Sequence, residues 1–217
     1  YYDGFYTKDN LPEKATRTWV TKTVAEKESN GTVHCVTKLA DAYKVSGDAF
    51  YTQNEKSVLP LGTLTVEETK APDGYLLDGA YMQAGDSTEQ IKGMYLTQIT
   101  EDGELAVLSG SNQHSVSDQV IRGGVKIQKR DLETKETKAQ GSATLKDAAF
   151  AIISLNENPV LVEGKLYKKN ETVKTIQTGI DGIATTSADL LPYGKYKLEE
   201  TKAPEGYLTD GAKAIEF

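Results

Sequence analysis

One feature restricts this chain more than any other: it contains the same segment twice. Leu59–Ala80, LPLGTLTVEETKAPDGYLLDGA, matches Leu191–Ala212, LPYGKYKLEETKAPEGYLTDGA, at 15 of 22 positions and a constant offset of 132. Self-similarity at a fixed period means repeated structural units. Two copies of one unit are therefore expected, divided near the Gly-Gly pair at residues 123 and 124, as residues 1–122 and 123–217. The 217-residue length suits two modest cores.

The offset also tests completeness. Position 129 less the offset falls before Tyr1, and far fewer residues follow Tyr207 than follow Tyr75. The chain is expected to be a slice of a longer tandem array. Its first unit would lack an opening strand and carry a long extra tail at 81–122. Its second unit would lack a closing strand.

Alternation points to strands rather than helices. Residues i, i+2 and i+4 share one face of a strand. Val125, Ile127 and Lys129 share a face, as do Tyr196, Leu198 and Glu200. The opposite faces carry Lys126, Gln128, Lys197 and Glu199 and suit solvent. The 12 tyrosines and 19 glycines, with no long 3.6-residue period, give an all-β expectation with many turns. Tyrosine, with only four phenylalanines present, is expected to supply most of the aromatic packing.

Each inward face thus runs from apolar residues straight to a charge, Lys129 in one strand and Glu200 in the other. Two readings follow. Both groups sit at strand ends and reach water, or an acid and an amine meet inside a sandwich. A buried pair needs good geometry, and desolvation favours the neutral form of each group. A neutral amine is a nucleophile, and a protonated acid can polarise a carbonyl and shuttle protons. An Asn or Asp carbonyl alongside would yield an amide cross-link. In the first unit Leu64, Val66 and Glu68 repeat half of this pattern. After each glutamate, Pro72 and Pro204 favour extended backbone before them, and Gly74 and Gly206 supply positive φ. Tyr75 and Tyr207 are expected to fold back over the end of the core.

The run VKIQKRD, then AAFAI, LLPYGKYKLEETKAPEGY and AIEF, resembles the Cna-protein B-type and SpaA-like prealbumin-like domains of Gram-positive surface adhesins and pilins. It covers nearly all of residues 123–217; in the first unit only Leu59–Ala80 matches well. The resemblance implies two tandem immunoglobulin-like, seven-stranded β-sandwiches serving as stalk modules of a secreted, wall-anchored protein. It implies a self-formed Lys–Asn isopeptide bond assisted by an acid. Lys129 matches the family lysine, Glu200 the catalytic glutamate, and Glu68 the glutamate of the first unit. The family asparagine lies just beyond the AIEF-like element, so it is not within this sequence. Lys22, on the face of Thr18 and Val20, is the first unit's lysine candidate, and Asn112 and Asp118 are its acceptor candidates.

Composition excludes other classes. A net charge of −7 argues against nucleic acid as a partner. It is unevenly placed: residues 1–122 carry 11 basic and 18 acidic side chains, and residues 123–217 carry 14 of each. No apolar run reaches the ~20 residues of a membrane span. One cysteine and two histidines leave no intrachain disulfide and no ordinary zinc site, and no cofactor is expected. Cys35 could serve a thioester with Gln98 or Gln119, but reads as an ordinary strand cysteine. Trp19 and the tyrosines could stack a sugar, but more often such residues pair across strands. No constellation suggests an enzyme with turnover. The expected partners are neighbouring modules and a host extracellular-matrix protein or glycan, at the bacterial cell-wall surface.

Overall fold

In a computed structural model of the chain, residues 1–84, 91–101, 114–209 and 212–217 are described. They form strands, turns and loops, with no helix among them. Two compact units emerge: Tyr1–Ala71 with Leu77–Gln119, and Pro72–Leu76 with Val120–Phe217.

The first unit contains β1 (Trp19–Thr21), β2 (Val24–Lys27), β3 (Val33–Val36), β4 (Lys44–Gly47), β5 (Tyr51–Gln53), β6 (Lys56–Val58), β7 (Gly62–Val66), β8 (Tyr75–Ala84), β9 (Ile91–Lys92), β10 (Tyr95–Ile99) and β11 (His114–Val120). β8 and β11 each run a residue or two into the second unit. The pairs β1–β4, β2–β3, β5–β6 and β7–β10 are antiparallel, and β8 lies between β9 and β11. Tyr1–Tyr6 packs along β7. Tyr2 and Thr63 exchange backbone hydrogen bonds, and the buried Thr63 hydroxyl accepts from the Tyr6 amide and donates to the Gly4 carbonyl. The packing is aromatic, as the tyrosine count suggests. Tyr51 meets Tyr1 and Trp19 edge-on, and the Arg17 guanidinium lies 3.6 Å from the Tyr51 ring centre.

The second unit contains β12 (Arg122–Gly123), β13 (Lys126–Gln128), β14 (Ala149–Ser154), β15 (Val160–Val162), β16 (Lys165–Tyr167), β17 (Thr172–Gln177), β18 (Ile183–Thr185), β19 (Leu191–Pro192), β20 (Tyr196–Lys202) and β21 (Ile215–Glu216). A four-stranded sheet runs β17–β14–β20–β21, and β12–β19, β13–β18 and β15–β16 form pairs. β14 is central, which explains why AFAIIS is apolar at almost every position, unlike a half-solvated strand. Ile152 and Val162 are completely buried, packed with Phe150, Val173, Ile176, Leu190, Tyr196 and Leu198. Val125 and Ile127 of the lysine strand pack against this core.

The turn after each glutamate strand follows the sequence expectation. Gly74 and Gly206 have φ of 89° and 86°, which L-residues rarely adopt. At Gly206 a Cβ would lie 2.6 Å from that of Ala143, and at Gly74 one would lie 2.5 Å from the Tyr193 ring.

Candidate functional site

The register of the second unit brings the lysine and glutamate strands to one end of the core. Phe150 sits opposite Glu200 and Ile152 opposite Leu198 in the β14–β20 ladder, so Glu200 continues the apolar inward face. Across the core, β13 pairs with β18, and the Lys129 amide donates to the Gly182 carbonyl at 2.8 Å. Lys129 Nζ then donates to both Glu200 oxygens, at 2.5 and 2.6 Å. The Glu200 side chain is 5% exposed and that of Lys129 is 18%. The ammonium also lies 5.8 Å from the centre of the Phe150 ring, the electron-rich face of which attracts a cation. The inward alternation of both strands thus ends in a desolvated ion pair rather than in two groups reaching water.

Two residues beyond Lys129 in the chain lies a carboxylate that the sequence expectation does not include. Asp131, 3% exposed, begins the turn after Lys129. Its Oδ1 accepts from the Glu133 and Thr134 amides, and its Oδ2 accepts from the Tyr207 hydroxyl at 2.7 Å. Gln140 Nε2 donates to both oxygens. The Thr134 amide, followed by the Tyr207 hydroxyl, holds the Asp131 carboxyl far below the usual range. Tyr207 therefore folds back, with this carboxylate as its target, whereas Tyr75, for which the same was expected, is exposed. The motif KRD signals Asp131 in the sequence; its role depends on the loop that follows.

The first unit presents a different arrangement. Leu64 is buried, but Val66 is exposed, so the inward face expected through Leu64, Val66 and Glu68 is interrupted before the glutamate. The physical reason is that β7 has β10 as its strand partner and its ladder stops at Val66. Glu68 is half-buried beside Asp118 of β11, and Oε2 of the one and Oδ1 of the other are shielded from solvent without a hydrogen-bond partner among the described residues. Burial, followed by the neighbouring Asp118 carboxyl, pushes Glu68 up to about 7. Lys22 is exposed, and no ion pair among the described residues joins it to Glu68. Asp118, one of two acceptor candidates in the sequence, is thus the residue that meets Glu68. Asn112 lies outside the described residues, as does much of the tail at 81–122.

A pH dependence follows. Glu68 binds its proton more tightly in the fold than in the unfolded chain, whose value is near the ordinary 4.5. Between about 4.5 and 7 the folded unit therefore carries more protons, so its stability falls as pH rises through that window. Glu68→Gln is expected to flatten this slope in denaturation of the first unit followed by Trp19 fluorescence between pH 4 and 8. A slope unchanged in the variant would contradict it.

The remaining tempting residues find ordinary places. Cys35 is exposed on β3, and the Gln98 amide donates to the Tyr6 carbonyl. His34 lies 3.1 Å from Glu28. Among the described residues no group of three or more His, Cys, Asp or Glu could hold a metal.

A prealbumin-like all-β domain with its core at β14 and β20 defines the class of the second unit. Residues 123–217 match the family model of the SpaA prealbumin-like fold domain. Among curated proteins none matches the chain.

Proposed function

We propose that the chain is a pair of stalk modules from a cell-wall-anchored surface protein of a Gram-positive bacterium, clamped in the second module by a self-formed amide at Lys129. The observation that carries this reading is the desolvated Lys129–Glu200 pair inside the SpaA-type domain. Glu200 takes a proton from the ammonium, the freed amine attacks a side-chain carbonyl, and the bond from that carbon to its leaving group breaks as Glu200 and the amine nitrogen each give a proton to the departing group. With an Asn acceptor one ammonia leaves, as ammonium, and Glu200 ends as the carboxylate it began as. The event happens once per molecule, so the module is not an enzyme with turnover.

The first unit is read as a second sandwich of the same kind. The repeat supports this, and so do the ladders: Leu64 pairs with Thr97 of β10, and its counterpart Tyr196 bonds in both directions to Phe217 beside β21. No helix among the described residues is long and apolar enough to cross a membrane, which is compatible with an extracellular module whose neighbours are further modules of the same protein.

A second reading makes the first unit a receptor for a host matrix protein or glycan. Its support is the aromatic group at the start of the chain, where Phe5 is exposed and Tyr2 meets Tyr6 edge-on. The full chain on an array of matrix proteins and glycans separates the two. The stalk reading expects no reproducible binding. Binding that disappears with Phe5→Ala would favour the receptor.

A further inference from the structure

Lys129 and Glu200 reach each other from separate ladders. β13 pairs with β18, whereas β20 lies between β14 and β21. Two long side chains lose rotamer freedom when they are held in one geometry, so a pair between unlinked strands needs something to hold the strands. The chain beyond each strand supplies it. On the lysine side the inward face runs on from Lys129 to Asp131, two residues later and 3% exposed. On the glutamate side the chain turns at Pro204 and Gly206, where the Tyr207 amide donates to the Pro204 carbonyl, and the Tyr207 hydroxyl donates to Asp131 Oδ2 at 2.7 Å.

Two further contacts fasten the same segments. The Thr144 amide donates to the Glu205 carbonyl at 3.1 Å. Gly206 lies so close to Ala143 that a side chain there would collide with it. The loop between Asp131 and Thr144 is in turn folded onto Asp131. The Asp131 amide donates to the Glu136 carbonyl, the Lys135 amide to the Asp131 carbonyl, and Gln140 Nε2 to both carboxylate oxygens. Asp131 is thus where the loop after the lysine and the turn after the glutamate are tied together. The donors to its carboxylate are uncharged: the Glu133 and Thr134 amides, the Thr134 and Tyr207 hydroxyls and the Gln140 amide. An ionised acceptor strengthens each of these bonds, and they occupy its oxygens, which leaves the ammonium to Glu200.

We propose that Asp131, acting through Tyr207, is a positioning residue for the Lys129–Glu200 pair, a clasp that holds the ends of β13 and β20 together and keeps water from the ammonium. Its bearing on the geometry of the pair stands by itself. Its bearing on amide formation rests on reading Lys129 and Glu200 as an amide-forming pair, whose rate depends on how well the reacting groups are held.

The first test follows exchange of the Lys129 ammonium protons with water by NMR of the full chain labelled with nitrogen-15 lysine, with the β14 amides as reporters of the core. Tyr207→Phe keeps the ring and removes one hydrogen bond. Lys129 exchange should quicken about tenfold or more beyond any change at β14, the range for losing a hydrogen bond to a charged group. Asp131→Asn retains an acceptor for the loop amides and a group that Tyr207 can bond, so it should fall between the parent and Tyr207→Phe. Equal changes at Lys129 and β14 would mean a purely structural residue, and either that result or an unchanged Lys129 in Tyr207→Phe would overturn the proposal. The second test follows the mass lost on closure in the protein as its source makes it, where Tyr207→Phe should slow the loss. Closure at the parent rate would overturn the proposal as well. Quickened exchange with no closure even in the parent would sustain the clasp and count against the amide-forming reading.

Discussion

Glu200→Ala is expected to destabilise the second unit by about 3–5 kcal/mol, the usual cost of leaving one partner of a buried pair alone. The loss combines three effects. The Lys129 ammonium would lose both of its carboxylate acceptors while only 18% of its side chain reaches solvent. A void would open beside Phe150, which faces Glu200 across the ladder. The lysine's charge would also have to be hydrated or neutralised inside the core. Glu200→Gln keeps the volume and an acceptor oxygen, so its cost should be smaller. Replacing both members by apolar residues, Lys129→Met with Glu200→Leu, should recover most of the loss, because two desolvated charges then disappear together. Hydrogen exchange at β14 and β20 amides reads all three variants. A Glu200→Ala protein as stable as the parent would mean that the pair is solvated in practice.

Closure of an amide at Lys129 carries a comparable effect of opposite sign. A bond from Lys129 to a strand beyond Phe217 encloses on the order of 100 residues, for which the chain-entropy treatment gives about 4.7 kcal/mol. For a domain of this size that corresponds to a rise in Tm of roughly 20 °C or more. Calorimetry of a closed form against its Lys129→Ala counterpart checks this. Equal melting temperatures would remove the mechanical rationale for the stalk reading.

The second unit was more legible than the first, for identifiable reasons. Val125, Ile127 and Lys129, like Tyr196, Leu198 and Glu200, lie in strands whose faces are fixed by a real core, so period-two alternation gave the shared faces, while the choice between water and a buried pair, which it left open, was made by the packing. The same rule failed at Val66, because alternation presumes an inward face that continues, and β7 ends there. Lys22 shares a face with Thr18 and Val20 in the sequence, but Val20 is itself exposed, so that face leads nowhere. Of the Asp131 network only the residue itself was legible, as the D after KR and the next position on the face of Lys129. Its five hydrogen-bond donors include Tyr207, 76 residues away, and the loop amides at Glu133 and Thr134. Glu68 meeting Asp118 is likewise a tertiary fact, joining β11 to the end of β7.

The covalent state of Lys129 in the protein isolated from its source, mapped by mass spectrometry of its proteolytic peptides, tests the central claim most directly. The expected result is a branched peptide in which Lys129 is joined to an Asn or Asp side chain, lighter than its two parts by one ammonia or one water. Trypsin should fail to cut after Lys129. Recovery of Lys129 as a free amine, cleaved by trypsin and open to amine reagents in the unfolded protein, would contradict the account.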